Sequence, residues 1–406
     1  MLLYIGIDWS EHKHDICILN AAGSTLAHLT IEHSPEGFDK LEALRQQLGC
    51  EVADRLVSLE TAHNLLIDFL WGHGYTQVYV IPPNVIKSSR TRYRQTGART
   101  DQSDAYVIAD VLRTDRARLL PWRPDSLLTR QMRGKISFLL YLTHSRVRLS
   151  NRLQAILLRY YPAALHVFSQ LDTQIALRFI IAYPTPQAAT ALALAEFLEF
   201  AKEQGYTQPK KLPKCYARLQ QAYPQADADT VLVYQQEAVE LATLLLQLVQ
   251  SRAQHVHDLQ RMYRQHADAP IFASIPGAGE LLAPGLLVKF GDDRARCPTA
   301  ASVQALAGTC PVTEASGKRR MIYFRRACDH EFRSLAHSLA VSSIQQSTWA
   351  RAYWESVRQR GGTDTHAYRC LANRWLAIIW KLWQTHQPYD EAYHLQQRAL
   401  RSKPKR

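Results

Sequence analysis

The chain of 406 residues has no apolar run long enough to cross a membrane; its richest ones are broken by Arg, Gln or Pro. Its first residues, MLLYIGIDWS, lack the basic flank, apolar core and small-residue cleavage site of an export signal. Together these absences predict a cytoplasmic protein with no membrane partner. Any CxxC pair is missing too. The seven cysteines, Cys17, Cys50, Cys215, Cys297, Cys310, Cys328 and Cys370, are odd in number and scattered, which argues against a zinc knuckle and a disulfide framework alike. Acids are locally scarce. Between Asp125 and Asp172 there are none, yet Arg130, Arg133, Lys135, Arg146, Arg148, Arg152 and Arg159 fall there. From Asn84 to Thr100 the pattern repeats, with Lys87, Arg90, Arg92, Arg94 and Arg99 unopposed. A third cluster holds Lys318, Arg319, Arg320, Arg325 and Arg326. The whole chain carries 49 Lys and Arg against 36 acids, a formal charge of +13. An excess concentrated in acid-free segments predicts a path for nucleic acid.

What is present is the makings of a globular protein: a hydrophobic fraction of 47% and length for two or three domains. Residues 1–122 predict an α/β domain. Leu3 to Asp8 reads as an apolar strand, His14 to Leu19 as its hairpin partner, and Thr25 to Ile31 as a third strand. Ser34-Pro35 marks a helix start reaching about Leu48. Strands at Leu56 to Glu60 and Gln77 to Ile81 then alternate with helices at Leu65 to Trp71 and Asp101 to Arg113. This order suits a mixed sheet with flanking helices. Residues 123–268 read as a helical middle. Leu142, Leu149, Leu153, Ile156 and Leu157 form an apolar stripe away from Arg148, Arg152 and Arg159, and a second long helix fits Val231 to about Gln265. Two such helices predict an antiparallel coiled coil. A mainly α unit at 269–390 opens on the turn Ile275-Pro276-Gly277-Ala278-Gly279, and a basic tail occupies 391–406.

Four carboxylates carry the chemistry: Asp8 and Glu60 at strand ends, and Asp101 and Asp104 three apart at a helix start, so facing one way. Clustered carboxylates repel one another unless cations neutralise them. Oxygen-only donors suit Mg2+ or Mn2+, and two such ions about 4 Å apart can activate a nucleophile and stabilise the leaving oxygen of a phosphodiester. Taken singly, each acid has an ordinary reading; Asp101, for one, could cap its helix. The turn at Gly277 and Gly279 could present backbone N–H groups to a phosphate or simply link two helices. Tyr93 suits either base stacking or packing. His255 and His257, two apart on a helix, diverge and do not form a metal pair.

GIDWSEHKHD, LVSLETAH and GARTDQSDAYVIADVL resemble the RuvC-like nuclease domain of insertion-sequence transposases with a DEDD catalytic motif. That family is related to pilin-gene DNA invertases and includes bridge-RNA-guided recombinases. SRVRLSNRLQAIL is similar to the family's coiled-coil segment, and SIPGAGELLAPGLLVKFGDDRARCPTAASVQALAGTCPVTEASGKRR to its C-terminal transposase domain. The resemblance implies a RuvC/RNase H-like N-terminal domain, a coiled-coil middle and a mainly α transposase domain. It makes Asp8, Glu60, Asp101 and Asp104 ligands of Mg2+ or Mn2+. It makes Ser316, in EASGK, the nucleophile on DNA, with Lys318, Arg319 and Arg320 beside it holding backbone phosphate. It implies DNA as substrate, a guide RNA and a homo-oligomer, dimer or tetramer, that brings Ser316 to the acids. The chain departs from the family after the serine, where ACDHEFRSLAH replaces a Gly-Asn pair preceding a Leu-Arg helix.

A junction-resolvase type of nuclease would use the same acids with water as nucleophile. A sugar-kinase-like ATPase also opens on a GID strand, but here Asp8 precedes Trp9-Ser10-Glu11 rather than a Gly-Thr phosphate turn, and no later Gly-rich nucleotide loop follows. A non-catalytic binding protein would tolerate loss of Asp8.

Overall fold

The computed structural model describes residues 2–49, 51, 54–61, 65–92, 100–317 and 319–402. The chain forms two compact units, Met1–Pro124 and Asp125–Arg406. It is mixed α/β in the first unit and, apart from one hairpin, helical in the second.

In the first unit, β1 (Leu3–Trp9), β2 (Lys13–Leu19), β3 (Thr25–Glu32), β4 (Arg55–Leu59) and β5 (Val78–Val80) make one mixed sheet in the order β3-β2-β1-β4-β5. The first three strands are antiparallel, and β4 and β5 continue the sheet parallel to β1. Helices α1 (Pro35–Gln47), α2 (Leu65–Gly72), α3 (Pro83–Arg90) and α4 (Asp101–Asp115) connect and cover the strands. The Ser34 start signal is used as read: its side chain accepts the Gly37 N–H at 3.1 Å. Helix α3 is not among the sequence-predicted elements. It begins at Pro83, a residue that fits the first helical turn because no N–H partner is required there.

Alternation along the strands sorts side chains to two cores. Leu3, Ile5 and Ile7 of β1 share one cluster with Val57 and Leu59 of β4 and with Leu41 and Leu66 of α1 and α2. Tyr4, Leu56 and Cys17 join the opposite cluster, under Ala105, Ile108 and Ala109 of α4. Gly6 lets α4 lie directly on β1. A Cβ at this position would stand 2.2 Å from the Ala105 carbonyl oxygen and 2.3 Å from the Ala109 nitrogen. The Ser58 hydroxyl, register partner of Gly6 on β4, donates to the Ile108 carbonyl at 3.0 Å and fastens the same helix.

In the second unit, α5 (Leu127–Tyr160) pairs with a second long helix, Ala228–Tyr263. Contacts join Lys135 to Asp258, Thr143 to Arg252 and Arg152 to Glu237; numbers rise on one helix as they fall on the other, so the pair is antiparallel. Each end of the pair enters a different core. Met132, Ile136, Leu259 and Tyr263 pack with the C-terminal helices around Trp375 and Trp383. Leu153, Leu157, Val231 and Leu245 pack with Phe168, Phe179 and Phe197 of the stretch between the long helices. That stretch, whose Ala-, Gln- and Pro-rich pattern predicts only helices and loops, is therefore a helical core of its own, closed by aromatic rings. Within this mainly helical unit, β6 (Val312–Ser316) and β7 (Arg319–Tyr323) form an antiparallel hairpin.

Candidate active site

Asp8 belongs to the same alternate set as Tyr4 and Gly6, so its half-buried side chain lies on the α4 face of the sheet. On β4 the corresponding set is Leu56 and Ser58, and Glu60 follows one residue past the strand end. The parallel register Ile7↔Leu59 carries Glu60 alongside Asp8. At the other edge of β1, Asp15 of β2 is the register partner of Asp8 and is 5% exposed. Residues directly opposite on antiparallel strands face one side. Asp15 therefore shares the acidic face, and its carboxylate accepts the Thr30 hydroxyl at 2.6 Å.

The cap of α4 is Thr100, not Asp101. Thr100 Oγ1 accepts the Ser103 N–H at 3.2 Å, and Ser103 Oγ accepts the Thr100 N–H at 3.1 Å. This reciprocal box removes the capping explanation for Asp101 and leaves both acids in the first turn, where the helix dipole favours negative charge. Because α4 rests on Gly6, that first turn arrives at the end of β1. The Asp8 carboxyl is pushed up to about 6, first by burial and then by the charges of Asp104, Asp101, Glu60 and Asp15. Acids from four places in the sequence thus act on one another.

Among the described residues, two cations oppose this charge. Arg90, at the end of α3, grips Asp104 with both Nε–Oδ1 and Nη2–Oδ2 at 2.8 Å. Lys13 stands 3.3 Å from Asp101 at the surface. Among the described residues, no three His, Cys, Asp or Glu side chains close around a point that could hold a metal ion. The carboxylates share a field without forming a coordination shell, since Asp104 is turned to a guanidinium and Asp101 to an ammonium. The donor set itself, carboxylates without His or Cys, fits a hard divalent cation.

The predicted nucleic-acid residues fall in several settings. Lys87 and Arg92 are exposed, with Arg92 3.8 Å from Asp115. Arg90 instead serves Asp104. Arg94, Arg99 and Tyr93, like Lys318, lie outside the described residues. Arg148 is exposed on α5, while Arg152 is paired with Glu237 at 2.6 Å. In the second unit Ser316 ends β6 opposite Arg319, and Ser316, Arg319 and Arg320 are all exposed. Gly277 adopts φ +82°, and a Cβ there would meet the Ser343 nitrogen at 2.7 Å. Its N–H donates to Gln346, its carbonyl accepts the Ser342 hydroxyl, and the Ala278 and Gly279 N–H groups bond within the turn. These bonds describe a turn stitched to a neighbouring helix; a phosphate there would have to displace them.

Asp15 and Lys13 are the residues that the motif reading passes over. The signal for Asp15 was present: a hairpin turning at Glu11-His12 pairs Asp8 with Asp15. Lys13 carries no such mark, because its partner is 88 positions away and joins it only through the packing of α4 on the sheet.

A transposase family model of the DEDD IS110 type matches residues 5–162, and the model of the transposase IS116/IS110/IS902 family matches residues 269–355. The chain is 30% identical over 400 residues to the protein described as the mini-circle transposase for IS117 of Streptomyces coelicolor, covering 96% of each. It is 26% identical over 406 residues to a 42 kDa protein of insertion element IS900 of Mycobacterium paratuberculosis, covering 96% of this chain and 98% of the relative. A 43.6 kDa protein of insertion element IS110, also from Streptomyces coelicolor, is 26% identical over 295 residues, 70% of each chain.

Proposed function

Since the chain belongs to the IS110/IS116/IS902 family of transposases, which cut and rejoin DNA, we propose that it does so with the Asp8, Glu60, Asp101 and Asp104 carboxylates as ligands of Mg2+ or Mn2+ and Ser316 as nucleophile. The observation that carries this reading is the convergence of the motif at the end of β1, where burial first, and then the charges of Asp104, Asp101 and Glu60, push the Asp8 carboxyl up. A group of anions held against a sheet at this cost to the apo protein has an evident use if cations complete it. Bound divalent ions would supply Lewis acidity toward a phosphodiester. Asp8 and Glu60 hold one side of that site from the sheet, and Asp101 and Asp104 present the other side from the first turn of α4. The first unit is accordingly read as a RuvC/RNase H-like domain.

The Ser316 hydroxyl attacks phosphorus, its proton passing to solvent or a base, and the 3′ or 5′ oxygen of the cut strand departs. The resulting phosphoserine ester keeps the bond energy that a second strand's hydroxyl needs to rejoin the ends. Lys318, Arg319 and Arg320 hold the backbone during this exchange, and Lys87, Arg92, Arg94, Arg99 and Arg148 extend the electrostatic path. A guide RNA and a homo-oligomer are the partners that the family kinship suggests, with a cytoplasmic setting. The deciding experiment traps the reaction on DNA and digests the protein. A phosphodiester-linked peptide containing Ser316 is expected, and its disappearance in Ser316→Ala. Cleavage of DNA that survives Ser316→Ala would instead favour water as the nucleophile, as in a resolvase-type nuclease.

A further inference from the structure

The second unit carries a basic groove that neither the motifs nor the proposed catalytic parts use. It runs along one stripe of the helix His330–Ser343, is about 480 Å³ in volume, and is lined by His330, Arg333, Ser334, His337, Ser338 and Ser342 together with the apolar Val341. This is the segment ACDHEFRSLAH and its continuation. Beside the groove, Phe324 is held between two guanidinium groups, with Arg333 Cζ 4.6 Å and Arg369 Cζ 4.5 Å from the ring centre. Arg333 is fixed further by donating from Nη2 to the Arg325 carbonyl.

Three polar atoms of this cluster are buried without a partner: Arg333 Nε, Arg369 Nε and His337 Nε2. Neither arginine has a carboxylate partner among the described residues. The acids nearest in sequence are engaged elsewhere, Asp329 and Glu331 both by Lys289 at 2.9 and 2.8 Å, with Glu331 also accepting from Ser137. His337 feels this imbalance: burial and the charges of Arg369 and Arg333 hold it below the usual histidine range. Arg333, lining an open groove beside the Ser334 and Ser338 hydroxyls and without a carboxylate partner among the described residues, calls for an anion with several oxygens.

We infer that this groove binds the sugar–phosphate backbone of DNA, as a second contact separate from the Ser316 hairpin tip. The inference rests on the DNA-acting reading above and extends it to residues outside the DEDD and serine motifs. Phe324 directly follows β7, so the groove lies at the base of the hairpin whose tip carries Ser316. Five residues of strand separate the two, roughly 16 Å at strand rise. That is about half a turn of duplex, so one DNA segment can touch both. The two contacts together fix the strand's direction across the serine.

The test measures binding of the full chain to a short labelled duplex DNA, and to RNA of the same sequence, over a range of KCl concentrations. Arg369→Gln is expected to weaken DNA binding about fivefold and lower the salt slope by about one. Arg369→Lys should restore the slope, because a phosphate contact needs the charge. Ser338→Glu adds an acid to the exposed groove without touching the core, and should weaken DNA binding comparably at an unchanged melting temperature. Gln208→Glu, an equal change of charge at an exposed loop position of the stretch between the long helices, is the control and should bind as the parent does. The groove assignment is overturned if Arg369→Gln and Ser338→Glu keep the parent's DNA affinity and slope, or if they weaken RNA binding alone. Failure of the parent chain to bind either nucleic acid would bring down the DNA-acting reading as well, a result distinct from silent groove variants.

Discussion

The acidic face of the first unit and the Ser316 hairpin of the second are built in opposite ways. Asp8, Asp15 and Glu60 stand on or beside strands with buried cores on both sides of the sheet, and α4 is pinned above them by Gly6 and Ser58. The hairpin has two strands only, and its residues from Thr313 to Ala315 and Arg319 to Arg320 are exposed. Ile322 and Tyr323 expose 63% and 39% of their surface, so the hairpin gains little from apolar burial. An isolated two-stranded ribbon is marginal in water. The acids are therefore set by folding, whereas the serine awaits positioning by what it binds. Repulsion can be built into a rigid frame and later neutralised by cations; a nucleophile that must meet a strand gains from adjustability.

The hardest test of the rigid half is Gly6→Ala. The added methyl would meet backbone atoms of α4 closer than 2.5 Å, and backbone cannot swing aside as a side chain can. A cost of about 3 kcal/mol or more is expected, together with loss of strand exchange. Thermal melting of the isolated variant checks it; a parent-like melting temperature would show that α4 does not rest on β1. Asp8→Asn should then separate site from frame. It should lower DNA strand exchange about a thousandfold, a magnitude typical of removing a charged group from a metal-assisted site, while the fold remains intact by circular dichroism. On the adjustable half, Ser316→Ala should abolish rejoining yet leave the melting temperature within about 1 °C, since an exposed hydroxyl at a strand end supports no core. A large loss of stability would contradict the contrast drawn between the two regions.

The sequence made the first half legible because alternation and turn chemistry are local. The strands that lead to Asp8 and Glu60, the Ser34 cap and the two long helices all follow from residues within a few positions. The role of Arg90 was not legible. From Asn84 to Thr100 it looks like one more cation among five, and only the fold of α3 against α4 turns it to Asp104. Likewise, Thr100 outcompetes Asp101 as cap because Ser103 completes the reciprocal box, a choice between adjacent residues that composition does not decide. The helical core between the long helices was opaque for a different reason. Its apolar residues are spread over several short helices, none long enough for a period to stand out.

Arg90→Gln sharpens the comparison further. Without the bidentate partner, Asp104 adds its charge to the acidic face uncompensated by that guanidinium, and the metal-free protein should lose about 1–2 kcal/mol. Mn2+ should restore more stability to this variant than to the parent, because a cation can take over the oxygens that Arg90 held. Melting with and without Mn2+ reads this directly; equal metal responses would show that Arg90 and the ion do not compete.

The smallest effect concerns the frame's stored repulsion. The Asp8 carboxyl is raised from 3.8 when unperturbed to about 6 in the folded chain, so the unfolded state releases its proton at lower pH than the folded state does. The stability linked to Asp8 is thus fully present below about pH 4 and is lost as pH rises through about 6. Asp8→Asn removes that loss. In a chelating buffer the variant should melt at nearly the parent's temperature at acid pH and a few degrees above it at neutral pH. The difference corresponds to about 1–2 kcal/mol once solvent screening of a half-exposed group is allowed for. Mg2+ should shrink or reverse the gap at neutral pH, since it favours the ionised carboxylate over the amide. A gap that is independent of pH would mean that the neighbouring acids do not act on Asp8, and the rigid face would then lack the charge that gives it a reason to hold cations.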